Sequence, residues 1–165
     1  MTSADALEQA LLLFERYYDI NRETPASPFA AEAQFHVHDE QYFLFKSAKY
    51  TESDSREIVF FAVSDHLTLD AAKQLDETAW ETGLARVEPG PTHRNTDIDL
   101  IVFADEVDPD AAEYLRRTRR SKSYKFMLHG WSNYPVIAIE TSTGQMTCNR
   151  LGQRLKKLFS NINFS

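Results

Sequence analysis

Cysteine is nearly absent: Cys148 is the only one in 165 residues. A lone thiol excludes an intrachain disulfide and any zinc site built on several cysteines. It suits a reducing compartment, so a cytoplasmic location is expected. Nothing flanking Cys148 matches a thiol-enzyme signature, and it reads as a small buried residue. Glycine is almost as scarce. The five glycines, Gly83, Gly90, Gly130, Gly144 and Gly152, are scattered along the chain. None builds the glycine-rich turn that cradles phosphate in P-loop or dinucleotide-binding proteins, and no Gly-x-Ser-x-Gly elbow occurs. No apolar run approaches the roughly 20 residues needed to cross a bilayer. No basic region precedes Leu11-Leu12-Leu13-Phe14, so neither a signal peptide nor a membrane partner is expected. These absences leave no cofactor to expect and make an enzyme the less favoured class.

Acidic residues are scarce in the last third of the chain. Residues 1–110 carry 8 Lys/Arg against 23 Asp/Glu, a balance of −15, whereas residues 111–165 carry 10 against 2, a balance of +8. The net charge is −7. Arg116, Arg117, Arg119, Arg120, Lys122 and Lys125 form one basic stretch, and Arg150, Arg154, Lys156 and Lys157 a second. A local field of this sign attracts an anion or an acidic protein even when the net charge repels it.

The length suits one domain spanning residues 1–165. Leu7, Leu11, Phe14 and Tyr18 recur at helical spacing and predict a helix over residues 4–22, capped by Thr2 or Ser3. Leu12, Leu13 and Tyr17 widen its apolar stripe, which predicts a second buried side and a homodimer through this helix. Strands are expected at 35–38, 42–45 and 57–63, linked as an antiparallel meander. Thr68 caps a helix over 69–82 that Gly83 stops. A strand follows at 97–104, then a helix from Asp108-Pro109 to about Arg119. Strands at 124–128 and 134–140, a short one at 145–148 and an amphipathic helix at 150–160 complete the chain. The order α-βββ-α-β-α-ββ(β)-α is that of an α+β fold, a mainly antiparallel or mixed sheet with packed helices.

Four strings carry a resemblance: Asp39-Glu40-Gln41-Tyr42-Phe43-Leu44, Gly83-Leu84-Ala85-Arg86-Val87-Glu88-Pro89, Lys122-Ser123-Tyr124-Lys125-Phe126 with His129-Gly130-Trp131, and Asn149-Arg150-Leu151-Gly152. They resemble a family of small uncharacterised bacterial proteins over about residues 35–157. The resemblance implies a bacterial, single-domain, cytoplasmic protein and assigns no catalytic residue.

Three sites are candidates. The basic stretch Arg116, Arg117, Arg119, Arg120, Lys122 and Lys125 interleaves with Tyr124 and Phe126 and leads to Trp131, which with Tyr134 could present an aromatic surface to a ligand. It would engage an acidic protein or small anion; nucleic acid is a third choice, since nucleic-acid-binding domains carry a high pI and this chain has a pI near 5.2. Its bland alternative is a solvated helix end that pairs with the acidic part of the chain. A second candidate is a metal site built from His36 and His38, two apart on one strand, with Asp65 and His66. A metal-dependent hydrolase or nuclease would use that set, or Asp97 and Asp99, which share a strand face. The favoured reading is a cytoplasmic binding or adaptor protein whose basic C-terminal third engages an acidic protein or anion.

Overall fold

The computed structural model describes residues 1–36, 54–91 and 93–164. The chain folds as α+β, with four helices and an eight-stranded mixed sheet among these residues. The expected strand at 42–45 lies outside the described residues. The helices are α1 (Ser3–Phe14), α2 (Leu69–Ala85), α3 (Pro109–Arg117) and α4 (Gln153–Phe159). The strands are β1 (Asp19–Asn21), β2 (Ala31–His36), β3 (Asp54–Leu67), β4 (His93–Val107), β5 (Ser121–Ser123), β6 (Trp131–Asn133), β7 (Val136–Glu140) and β8 (Met146–Cys148).

The sheet runs β1-β2-β3-β4 and then divides. β6 and β7 follow one another along the same edge of β4, with β5 outside β6 and β8 outside β7. Its centre is parallel: β3 with β4, and β4 with both β6 and β7. The outer pairs are antiparallel. Of the strands expected to form an antiparallel meander, β2 pairs directly with β3. The links from β3 to β4 and from β4 to β6 carry α2 and α3, and a helical crossover returns the next strand parallel.

Successive residues of the central strands point to opposite faces, and both faces are covered. Val59, Phe61, Ile101, Phe103, Ile137 and Ile139 pack under α1 and α4. Phe60, Leu100, Val102, Ala104, Val136 and Ala138 pack under α2 and α3. This explains the unbroken apolar run Ile58–Val63, which a sheet with one wet face would interrupt with polar residues.

The first helix ends at Phe14 rather than near residue 22. Tyr17 and Tyr18 both donate their backbone N–H to the Phe14 carbonyl, and the chain turns into the edge strand β1. Thr2 caps the helix in a reciprocal box with Asp5. Of the residues expected to widen the apolar stripe, Leu13 and Tyr17 pack against the core, and Leu12 is exposed.

Gly83 does not stop α2, which continues to Ala85. Its role is packing, because a Cβ there would lie 2.5 Å from Ile98 Cγ2. Two effects oppose each other in Gly83→Ala. Alanine favours the helix by about 1 kcal/mol, while overpacking costs roughly 1–3 kcal/mol. Since all three nearest contacts belong to one buried branched side chain on β4, overpacking should win. Thermal denaturation is expected to show a lower Tm for the variant, and a higher one would mean that Ile98 yields.

Candidate binding surface

Three of the six cations in the basic segment pair with acids of the chain itself. Arg116 and Arg117, in the last turn of α3, both pair with Glu113. Arg120 makes a two-pronged contact with Asp76 of α2, with Nε and Nη2 each 2.9 Å from a carboxylate oxygen. Asp76 is almost wholly buried and also accepts from the Tyr114 hydroxyl at 2.5 Å. Burial and that bond to Asp76 push the Tyr114 phenol up to about 12. These groups line an open groove of about 430 Å³ between α2 and α3 that holds acids and bases together, Asp110 and Glu113 beside Arg117 and Arg119. Arg119, Lys122 and Lys125 have no acidic partner among the described residues. Lys122 lies 5.7 Å from the Tyr124 ring centroid.

The stretch expected as a strand at 124–128 is a turn instead, and it forms a finger between β5 and β6. Lys125, Phe126 and Met127 take φ values of 45°, 51° and 73°. Left-handed backbone costs a residue with a Cβ about 1–2 kcal/mol, so three in succession need support from their surroundings. Within the finger, Tyr124 N–H donates to the Gly130 carbonyl, and Leu128 and His129 donate back to Lys125 and Tyr124. At its base the His93 ring lies 2.7 Å from the His129 carbonyl. A carbonyl only accepts, so Nδ1 carries the proton and Nε2 faces the Thr96 hydroxyl at 2.9 Å. Gly130 has φ +88°, and a Cβ there would run into the Arg94 carbonyl and the His93 ring. The Tyr124 hydroxyl lies 3.0 Å from Ser132 Oγ.

This scaffold holds three apolar side chains in water. Phe126 is 98% exposed, Leu128 75% and Met127 56%. Trp131, at the base of the finger, is half-buried. Tyr134 is not a surface residue. It is fully buried, packs edge-on against Trp80 with ring centroids 5.4 Å apart, and donates its hydroxyl to the Asp76 carbonyl.

The structure does not bring the two halves of the expected metal set together. His36 sits opposite Arg56 on β3, and His66 lies ten residues further along that strand. At roughly 3.3 Å per residue the two backbones stand about 33 Å apart. His38 lies outside the described residues, and Asp65 is exposed. His66 instead forms a 2.6 Å contact with Asp108, the residue just before α3. That hydrogen bond raises the imidazole above its ordinary pKa. Among the described residues no group of three or more His, Cys, Asp or Glu could hold a metal ion.

Asp97 and Asp99 are not exposed carboxylates at a strand entrance. They point under α4, with Asp99 fully buried, and converge with Glu57 on one guanidinium. Arg154 Nη2 lies 2.7 Å from Asp99, 3.1 Å from Glu57 and 3.5 Å from Asp97. Tyr18 donates its hydroxyl to Glu57 at 2.8 Å. Burial drives the Asp99 carboxyl well above its ordinary value; Arg154 pulls it back, and the nearby Glu57 adds to the rise. A cation thus already occupies the centre of this carboxylate cluster, supplied by the second basic group of the sequence.

In comparisons with known proteins, a family model described as "Domain of unknown function (DUF8052)" matches residues 2–161. No curated protein and no solved structure matches.

Proposed function

The chain belongs to that family, whose model covers nearly its whole length, and we propose that it is a binding protein that engages an acidic protein or anion through one end of its basic C-terminal third. The observation that carries this reading is the coincidence of the exposed finger Phe126-Met127-Leu128 with Arg119, Lys122 and Lys125, the cations of the first basic stretch that pair with no acid among the described residues. No acidic residue occurs between Glu113 and Glu140. The partner-binding residues are thus a subset of the segment legible in sequence. Arg116, Arg117 and Arg120 hold the protein's own acids, whereas Arg119, Lys122 and Lys125 remain to meet another molecule's. Trp131 supports the finger from its base.

A soluble polyanion tests the electrostatic half of this reading. Polyglutamate is expected to bind the wild-type chain with an affinity that falls as salt rises. Reversing Arg119, Lys122 and Lys125 to glutamate should abolish binding, while Arg116→Glu should weaken it only slightly. An equal loss per reversed charge in the two variants would show net charge alone at work. No binding by the wild type at low salt would sink the reading.

The homodimer through α1 stands as a further proposal on narrower footing, since Leu12 is the residue of its outer face left exposed. No helix among the described residues is long and apolar enough to cross a membrane.

A further inference from the structure

Resting on that reading, we propose that the anionic partner is a phospholipid surface, and that the finger Lys125–Leu128 is its anchor. Phe126, Met127 and Leu128 would enter the boundary between headgroups and acyl chains. Lys125, Lys122 and Arg119 would meet headgroup phosphates around them.

The shape of the finger points to this occupant. The Lys125 carbonyl accepts from Leu128 N–H at 2.9 Å, the i to i+3 pattern of a single tight turn. Such a turn sets consecutive side chains about 100–120° apart. All three apolar side chains are nonetheless exposed at once, so the turn stands clear of the body and splays them around its tip. A protein groove that accepts apolar anchors takes them from one face of an element. A splayed apolar tip suits a fluid apolar layer that closes around it from every side. Base stacking requires π faces, and Met127 and Leu128 have none.

The charge distribution agrees. Surface-bound elements place cations at headgroup level and bury apolar groups roughly 5–10 Å deep. Here the cations precede the apolar tip in sequence and flank it: Lys122 lies in β5 at its root, and Lys125 begins the turn. The whole of β5 is exposed, so no other element screens Lys122. No acidic residue occurs between Glu113 and Glu140, so the finger's own segment adds no acid that would repel an anionic surface. The sequence expectation of no membrane partner rested on the lack of a spanning or leader segment. A surface finger needs neither.

Cosedimentation with vesicles tests the proposal. The full chain is mixed with phosphatidylcholine vesicles with or without phosphatidylglycerol, and its binding to polyglutamate is followed in parallel. The expected result is salt-sensitive binding only where phosphatidylglycerol is present. Phe126→Asp should weaken it by about tenfold or more, and Lys125→Glu by at least about fivefold. Phe126 is almost wholly exposed in the folded chain, so the melting curve of its variant should not move. Binding to polyglutamate but not to vesicles would overturn the lipid assignment and leave the anionic-partner reading standing. Binding to neither would overturn both. Vesicle binding that Phe126→Asp leaves unchanged would remove the finger from the interface and overturn the proposal.

Discussion

Asn149→Asp is expected to destabilise the protein by roughly 3–5 kcal/mol, although it replaces one NH2 group with an oxygen and changes no shape. Asn149 is buried, and its amide uses every hydrogen-bonding site it has. Oδ1 accepts from the backbone N–H of Val136 and of Gly152, each at 2.9 Å. Nδ2 donates to the carbonyls of Thr118 at 3.0 Å and Tyr134 at 2.7 Å. One side chain thus ties the residue after α3, the junction of β6 with β7 and the approach to α4. An aspartate keeps the two acceptor contacts and loses both donors. Ionised, it sets a charge against two carbonyls; protonated, it can satisfy one of them. A chain of this size should lose roughly 10–15 °C in Tm. Because Thr118 precedes Arg119 and Tyr134 follows β6, loosening this clamp should also displace the free cation and the root of the finger. A variant that melts within a few degrees of the wild type would show that the amide carries little of the fold.

Asn149 lies in the string Asn149-Arg150-Leu151-Gly152, which was legible as part of a family likeness but not as a clamp. Its four partners lie at separations of 3 to 31 residues, and no local pattern encodes them. Elements defined by local rules were readable. Thr68 caps α2 as expected, Pro109 stands at the first turn of α3, and the strands predicted at 57–63, 97–104 and 134–140 fall within or close to β3, β4 and β7. Tyr124–Leu128 misled because an aromatic and apolar run has strand composition. The contacts that make it a turn come from His93 on a distant strand and from the left-handed Gly130. The parallel centre of the sheet was likewise hidden, since it follows from where two helical crossovers land.

The burial of the acids left clearer traces. Ala72, Asp76, Ala79 and Gly83 follow one helical stripe, so Asp76 falls among residues destined for the core. Asp97 and Asp99 share a strand face with Ile101 and Phe103. An acid on an apolar stripe implies a cation aimed at it, and the basic last third supplies Arg120 and Arg154. Much of the charge split is therefore a device of the fold, which narrows the proposed binding surface to the cations left over.

Arg154 provides the sharpest test of that division of labour. Arg154→Met should cost about 3 kcal/mol near neutral pH, the low end for breaking a buried ion pair, because about a third of the guanidinium side chain remains in contact with water. Methionine can follow the arginine's aliphatic path, so the loss measures charge rather than volume. What remains is Glu57, Asp97 and Asp99 facing one another without a counter-ion. The effect must then depend on pH. Asp99 already has a folded pKa raised above its ordinary 3.8 by burial. For such a group stability is fully present below the unfolded value and is lost as pH climbs through the folded one. Wild-type stability should therefore carry a downward slope beginning near pH 4, and Arg154→Met should steepen it, with the deficit shrinking on acidification. Asp99→Asn removes the titrating proton while keeping an oxygen near Arg154, so it should flatten the slope and gain on the wild type as pH rises. Urea denaturation of the three proteins from pH 4 to pH 9 decides the matter. If Arg154→Met loses the same stability at every pH, the guanidinium acts by packing. If Asp99→Asn leaves the slope untouched, the proton resides elsewhere in the cluster. The expected pattern would instead establish that the Arg154 charge is spent on the fold, as counter-ion to Glu57, Asp97 and Asp99.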